Sequence, residues 1–374
     1  MKKRIYFENL DGLRFLCFLS VFFFHSFYTE STALKTSSTY HFVKIGIFGN
    51  GNIGVNFFFV LSGFLITFLL LEEKKLKGQI KLKNFWLRRI LRIWPLFYSC
   101  VFFGFIIFPK IKLLFGQTPH ETATPFFYLT FLNNFDFLTK GLPDSSILGV
   151  LWSVAIEEQF YLVWPIIIFL FPVKKLWIPF AVIILGNLIF RAYYDNFLLH
   201  EHHTISCIGD MTIGAIGAWL VNISERFKRN IEQLTRSDIA AIYLAFILLF
   251  FLRHELFSGH YVLRIFERMF LAFVILLIIL EQTFAQRSFF KMSNFKLISK
   301  LGTLTYGMYC LHFIGILITI SITKQLAINT HLWQVFFLDT PLALILTIVI
   351  SKLSYAYFES PFLKLKDRFS IITK

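Results

Sequence analysis

The sequence predicts an all-α fold, a polytopic membrane bundle of about ten transmembrane helices with both termini in the cytoplasm. Of its 374 residues, 56% are hydrophobic and 50 are Phe, so the apolar surface exceeds what one soluble core can bury. The apolar residues form continuous runs close to the roughly 20 residues that a spanning helix needs. Because a transmembrane strand would alternate apolar and polar residues, we expect helices to satisfy the backbone.

The predicted spans extend over the whole chain, and no linker rich in Pro, Gly or Ser separates two blocks. We therefore expect one membrane domain, 1–374, without an appended soluble domain. Any chemistry then takes place within the helical bundle or its loops. In order, the ten spans are 11–28, 53–71, 94–109, 152–171, 176–194, 205–222, 238–252, 263–281, 301–323 and 333–358.

Local signals mark where several spans begin. The first follows Met1-Lys-Lys-Arg4 as a signal peptide would, but no small-residue cleavage site comes after it, so we expect the segment to be retained. Glycines in 46–54 indicate a flexible turn into the second span. The third span follows a basic loop, 72–93, and the fourth follows a long external segment, 110–151.

Positive charge orients the bundle. The net charge is +15, and 25 Lys and Arg lie on the side of the termini against 9 on the opposite side, with three more inside spans. An excess of Lys and Arg marks the cytoplasmic side, so both termini are expected there. The surplus charge is therefore mostly a matter of topology, and we expect membrane lipid rather than nucleic acid as a partner.

The first span carries two ionisable residues, Arg14 and His25. Eleven residues apart, they lie three helical turns from each other on one face, about 16 Å apart. Ionisable groups inside a spanning helix are costly, so a functional role is their default interpretation. Arg14 would lie near the cytoplasmic surface, and His25 would lie near the middle of the bilayer.

Arginines precede the third span. Arg88 and Arg92 are at positions i and i+4 and would share a helical face, with Arg89 beside them. Arg88 and Arg92 together could bind a phosphate or pyrophosphate bidentately. The alternative is that they are a positive-inside anchor at the cytoplasmic surface.

The fourth span opens with a polar stripe on its predicted external side. Ser153, Glu157 and Tyr161 recur every four residues, while Glu158 stands about 100° around the helix. Adjacent carboxylates can orient a sugar hydroxyl or assist proton transfer. The alternative is that both glutamates lie in the external headgroup layer.

Other candidates stand alone. His312 is one turn from Tyr309 in the ninth span, and it is either a candidate for catalysis or a hydrogen-bonded packing group. Asp210 lies at a span edge, where it is expected to pair with a basic residue such as Arg191. The four cysteines lack paired spacing and the histidines at 200–203 lack a second cluster, so we expect neither disulfides nor a metal.

At this point the chain resembles integral-membrane acyltransferase family 3, bacterial enzymes that commonly O-acetylate cell-surface polysaccharides. Asn56 stands where members usually carry Asp. The matching stretches, in order over nearly the whole chain, are Leu10-Asp-Gly-Leu-Arg14 with His25, Gly54 to Thr67 including Ser62-Gly63, Arg88-Arg-Ile-Leu-Arg92-Ile-Trp-Pro95, Leu151-Trp-Ser-Val-Ala-Ile-Glu157-Glu158-Gln-Phe-Tyr161, Leu301 to His312, and Glu359-Ser-Pro-Phe362.

The resemblance implies an O-acyltransferase of the bacterial cytoplasmic (inner) membrane with an acyl-CoA donor, acetyl-CoA above all. The acceptor would be a cell-surface glycan or glycolipid such as lipopolysaccharide O-antigen or exopolysaccharide. Arg14, Arg88, Arg89 and Arg92 would then hold the phosphates of coenzyme A. His25, Arg14 and Glu157 are the expected catalytic residues, and Ser153, Glu158, Tyr161 and His312 are expected on the acceptor side.

We expect His25 to act as general base on the acceptor hydroxyl, which attacks the thioester directly. A covalent acyl-histidine is the mechanistic alternative. The rival function is a proton-coupled transporter or flippase of a glycan precursor, because intramembrane His, Arg and Glu also serve transport. A structural subunit of an export complex would explain the helices but not Arg14 and His25.

Overall fold

The computed structural model describes residues 3–4, 6–29, 31–369 and 372–373. Ten long helices form at the predicted spans, and the predicted all-α membrane fold is confirmed. They are α1 Glu8–Ser26, α2 Ile53–Lys77, α3 Leu82–Phe102, α4 Leu151–Leu170, α5 Trp177–Tyr193, α6 Thr204–Ile223, α7 Arg236–Phe257, α8 Tyr261–Phe284, α9 Thr305–Gln325 and α10 Thr340–Leu353.

Eight helical segments in the described part of the chain are long and apolar enough to cross a membrane. They contain every long helix except α1 and α8, which carry charged side chains such as Arg14 and Arg268. The segment that contains α2 extends over Ser38–Lys77, and the one that contains α10 extends over Leu332–Asp367. Both are continuous helical stretches that contain π-helical turns, one before α2 and one on each side of α10.

The third helix begins earlier than predicted. Its predicted span starts at 94, whereas α3 starts at Leu82 and continues past Pro95 to Phe102, followed by a π-turn and a helix that ends at Leu114. Charged residues lower the hydropathy of 82–93 without interrupting the backbone hydrogen bonds. The arginines at 88, 89 and 92 therefore lie on a helix that enters the bundle and not on a loop before it.

Shorter elements connect the long helices. Within the described ranges the strands are β1 Lys3–Arg4 and β2 Ile372–Thr373, which pair in parallel and so bring the two ends of the chain together. The shorter helices are Thr32–Lys35, Ser38–His41, Phe42–Ile47, Phe48–Asn52, Phe103–Ile107, Phe108–Leu114, Pro125–Leu129, Asn133–Lys140, Ser146–Gly149, Val173–Lys175, Phe197–His202, Glu225–Glu232, Met292–Asn294, Lys296–Gly302, Leu332–Gln334, Val335–Asp339, Ser354–Glu359 and Ser360–Asp367.

Glycines let the central helices approach closely. A Cβ added at Gly63 of α2 would lie 1.9 Å from the carbonyl oxygen of Met211 in α6, and one at Gly214 of α6 would lie 2.0 Å from that of Val60. Small residues allow this backbone-to-backbone packing between membrane helices. It holds α2 in the middle of the bundle.

A buried ion cluster joins α6 to α8. Asp210 accepts a hydrogen bond from Arg268 at 2.5 Å and one from Asn56 at 3.0 Å, and Arg268 also pairs with Glu201 at 3.2 Å. The expected partner Arg191 instead donates to backbone carbonyls and to a serine hydroxyl. Asp210 thus pairs with a basic residue as predicted, but the partner is Arg268 of α8 and not the suggested Arg191, because the sequence does not show that α8 packs beside α6.

Candidate active site

Five long helices, α1, α2, α3, α4 and α9, surround a cavity of about 210 Å³. Phe7 packs on Phe68 at one end of α2, and Gly54 meets the carbonyl of Cys17 at the other, so α1 and α2 run antiparallel along it. The lining residues are Tyr6, Phe7, Leu10, Arg14, Val55, Phe58, Phe59, Ser62, Leu65, Ile66, Leu69, Arg89, Arg92, Ile93, Ser153, Val154, Glu157, Tyr161, Gly302, Thr303, Thr305, Tyr306 and Tyr309.

The two ends of the cavity differ. The mouth lies at Tyr6, Leu69 and Thr303, where Tyr6 and Thr303 are exposed. It opens beside the start of α1, which we predict to be cytoplasmic. The far end consists of Val55, Phe58, Phe59, Val154, Ser153 and Tyr309.

Three guanidinium groups line the cavity, those of Arg14, Arg89 and Arg92. Arg14 pairs with Asp11, which also accepts a hydrogen bond from Tyr6 at 2.5 Å. Burial, together with this bond, raises the pKa of Tyr6 to about 12, so the phenol remains a donor. Within the described structure, Arg92 makes no hydrogen bond or ion pair of its own.

Arg88 does not line this cavity. It pairs with Glu73 at 3.4 Å and donates to the carbonyl of Phe369 at 2.9 Å, beside a smaller space of about 40 Å³. Successive side chains turn by about 100° around a helix, and Glu73 of α2 attracts the one that faces it. The arginines that share the cavity wall are therefore Arg89 and Arg92, at i and i+3, and not the predicted pair of Arg88 and Arg92.

The stripe predicted on α4 faces the same cavity as the arginines. Glu157 accepts a hydrogen bond from the Ser62 hydroxyl at 2.7 Å, and the Tyr161 hydroxyl donates to Ser62 at 3.1 Å. The guanidinium of Arg89 lies 5.4 Å from the Tyr161 ring centroid, a cation–π arrangement. The sequence predicted that the arginines and this stripe lie on opposite sides of the membrane. In the structure, Arg14, Arg89 and Arg92 line the same cavity as the stripe.

Glu158 points elsewhere. Its carboxylate accepts a hydrogen bond from the indole of Trp94 at 2.8 Å, and its other oxygen is buried without a partner among the described residues. Glu158 is not part of the cavity wall. This is the orientation that its 100° offset from Glu157 predicts.

Two hydroxyls close the far end. Ser153 and Tyr309 lie 2.6 Å apart, and both are 3.3 Å from the carbonyl oxygen of Val150. Tyr309 packs edge-on against Phe58, with ring centroids 6.1 Å apart. The hydrogen bond joins the first turn of α4 to α9 across the cavity.

The two histidines meet just beyond this end. The ring centroids of His25 and His312 are 5.3 Å apart, although the residues lie on α1 and α9. His312 is fully buried, and its Nδ1 is 2.7 Å from the carbonyl of Tyr309, so Nδ1 carries the proton. Its Nε2 has no partner in the described part of the chain. His25 is half-buried, and neither histidine lines the cavity.

Sequence reasoning missed Ser62 and Tyr309 as parts of the site. Both lie in stretches that resemble the family, but a single hydroxyl on an apolar helix is commonly a packing residue. Position within a shared motif was the only available signal. Their importance comes from partners on other helices, Glu157 for Ser62 and Ser153 for Tyr309.

Comparisons with known proteins agree on one family. The family profile described as "Acyltransferase domain" matches residues 7–355. The Peptidoglycan O-acetyltransferase OatA of Listeria monocytogenes is 28% identical over 96% of this chain and 56% of its own length. The O-acetyltransferase OatA of Staphylococcus aureus is 25% identical over 96% of this chain and 57% of its own. The chain thus spans little more than half of these relatives, and no solved structure is significantly similar to it.

Proposed function

Because the chain belongs to the acyltransferase family defined by that domain, we propose that it is a membrane O-acyltransferase. It transfers an acyl group, acetyl in the first place, from cytoplasmic acyl-CoA to a hydroxyl of a cell-envelope polysaccharide. The observation that carries the proposal is the cavity itself, which leads from an exposed mouth past three arginines toward a pair of histidines.

The arginines provide the donor site. Coenzyme A carries several phosphate charges, and guanidinium groups bind phosphate through paired, charge-assisted hydrogen bonds. Arg14 is bound to Asp11 and Arg89 stacks on the ring of Tyr161, whereas Arg92 makes no hydrogen bond or ion pair among the described residues, although the Glu157 carboxylate lies near both Arg89 and Arg92. We therefore assign the main phosphate contact to Arg92, with Arg89 and Arg14 beside it, and we assign Arg88 a structural role.

His25 is the proposed general base. It removes the proton of the acceptor hydroxyl while the oxygen attacks the thioester carbonyl, and the collapsing intermediate then expels the CoA thiolate, which takes that proton. The acceptor reaches His25 from the side opposite the cavity. His312 supports this step, since its unpartnered Nε2 can accept a hydrogen bond from the hydroxyl or from His25.

The stripe on α4 belongs to the donor in this proposal. The sequence assigned Ser153 and Tyr161 to the acceptor, but they line the cavity that holds the arginines, so we propose that they contact the pantetheine arm. Glu157 remains a candidate for proton transfer because it is half-buried, accepts a hydrogen bond from Ser62 and lines the same cavity as Arg89 and Arg92. Glu158, which is bonded to Trp94, has no substrate contact in this scheme.

The test uses protein in liposomes with radiolabelled acetyl-CoA on the mouth side and a panel of glycans on the other. Wild-type protein should label a glycan covalently, and His25→Ala should lower the rate at least about 100-fold, the scale of general-base catalysis. His41→Ala, a histidine exposed on a short helix, should match the wild type. Wild-type rates from His25→Ala would refute the base assignment, and label that crosses without covalent transfer would indicate a transporter.

A further inference from the structure

The cavity changes in character along its length. On α2 its lining runs from Leu69 at the mouth to Val55 at the far end, which is 14 residues or about 21 Å of helix. Ser62 stands midway, level with Glu157 and Tyr161. Beyond Ser62 only about 10 Å of helix remains before the far end.

That last portion is lined mostly by apolar side chains and ends at the paired hydroxyls of Ser153 and Tyr309. Phe58, Phe59, Val55 and Val154 line it, and Tyr309 lies across it. Tyr309 is held in place from several sides, by the hydroxyl of Ser153 at 2.6 Å, by the carbonyl of Val150 at 3.3 Å and by the ring of Phe58. A longer group could extend past it only by displacing an aromatic ring and breaking a buried hydrogen bond.

We propose that Tyr309 and Phe58 form an end wall that limits the length of the donor's acyl chain. The inference rests on the proposed function, because it takes the arginines as the site of the CoA phosphates. With the phosphates held on the mouth side, where Arg14 is bound to Asp11 beside Tyr6, the pantetheine arm and the acyl group point along the cavity toward the far end. The thioester then lies near the wall, and every added methylene is pressed against Tyr309 or Phe58.

The experiment measures binding of free CoA, acetyl-CoA, butyryl-CoA and hexanoyl-CoA to the purified full chain, so no acceptor is needed. Wild-type protein should bind acetyl-CoA best and hexanoyl-CoA at least about tenfold more weakly, since a methylene that does not fit costs about 10- to 200-fold. Phe58→Ala and Tyr309→Leu should raise the affinity for hexanoyl-CoA relative to acetyl-CoA at least about tenfold. The milder Phe58→Leu should shift the ratio in the same direction if the larger truncations fold poorly.

One control variant separates an effect of the end wall from a general effect of enlarging the cavity. Leu69→Ala enlarges the cavity at its mouth, so it should leave the ratio of hexanoyl-CoA to acetyl-CoA affinity unchanged. The inference is overturned if wild-type protein binds all acyl lengths equally, or if Leu69→Ala shifts the ratio as much as Phe58→Ala. Failure to bind even free CoA would instead refute the proposed function on which it rests.

Discussion

Replacing Arg92 should weaken CoA binding far more than replacing Arg88, although both arginines belong to one helix and one motif. Arg92 lines the cavity and makes no ion pair or hydrogen bond among the described residues, whereas Arg88 is bound to Glu73 and to the carbonyl of Phe369. The sequence predicted that the two would act together on one face. The structure therefore distinguishes Arg92, which faces the cavity, from Arg88, which does not, whereas the motif alone treats them as equivalent.

The size of the effect follows from the contacts that are lost. A hydrogen bond to a charged group contributes about 1.5–3 kcal/mol, and about 1.4 kcal/mol is a factor of ten in affinity. Arg92→Gln should therefore weaken CoA binding about 10- to 100-fold. Arg88→Gln should change the affinity for CoA less than about threefold. The variant loses the ion pair with Glu73, which contributes to the stability of the protein and not to CoA binding.

Isothermal titration of CoA into protein in nanodiscs measures both effects. The double variant of Arg88 and Arg92 should bind no more weakly than Arg92→Gln alone, because the distant arginine adds nothing to the site. Thermal unfolding of the same samples detects the separate stability loss of Arg88→Gln. Equal losses of affinity from the two single variants would refute the division of roles, and unchanged affinity in Arg92→Gln would refute the phosphate site.

Three further changes test other parts of the molecule. Glu157→Gln should lower turnover at least about 100-fold, because it removes the group proposed to transfer a proton. CoA binding should not weaken, because the change removes negative charge near the arginines. Weaker binding at normal turnover would contradict the proton-transfer role. Arg268→Met should lower the free energy of unfolding by about 3–5 kcal/mol because it leaves the Asp210 carboxylate buried without its cation, and a thermal shift near zero would show that the cluster is not structural. Gly63→Ala should cost about 1–3 kcal/mol through its clash with the Met211 carbonyl, whereas Gly186→Ala, with nothing within 4 Å of its added Cβ, should not destabilise the protein.

Most of the helical architecture could be predicted from the sequence because each span is a continuous apolar run whose backbone must bond within itself. The start of α3 could not, since its arginine-rich turns have the composition of a loop. Side-chain direction was the larger difficulty. Whether Arg88 or Arg89 faces the cavity depends on Glu73 of α2, and the sequence does not show which helices pack together.

The same limit applies to the position of the polar stripe. Ser153 lies near the start of the fourth span, so the distribution of loop charges predicts that it is at the external surface. In the structure its hydroxyl is hydrogen-bonded to Tyr309, which is only one turn from the start of α9. Because α9 begins beside the arginine-lined cavity, the first turn of α4 must lie inside the bundle. The short helices Asn133–Lys140 and Ser146–Gly149 pack against α4. A span boundary drawn from hydropathy therefore says little about depth.

The end wall raises the question of how the acyl group meets the acceptor. The rings of Tyr309 and His312 have centroids 6.0 Å apart, and Tyr309 lies between the cavity and His312. In the proposed mechanism, acyl transfer therefore requires the tyrosine ring to move. The bond between the hydroxyls of Tyr309 and Ser153 is a neutral hydrogen bond, which contributes about 0.5–1.5 kcal/mol net. If this bond alone held the ring, the ring would move away often. Tyr309→Phe removes this bond and keeps the ring. We expect faster hydrolysis of acetyl-CoA in the absence of acceptor, because water reaches the thioester more often, and CoA release measured with a thiol reagent would reveal it. An unchanged hydrolysis rate would mean that packing against Phe58, and not the hydroxyl, holds the wall closed.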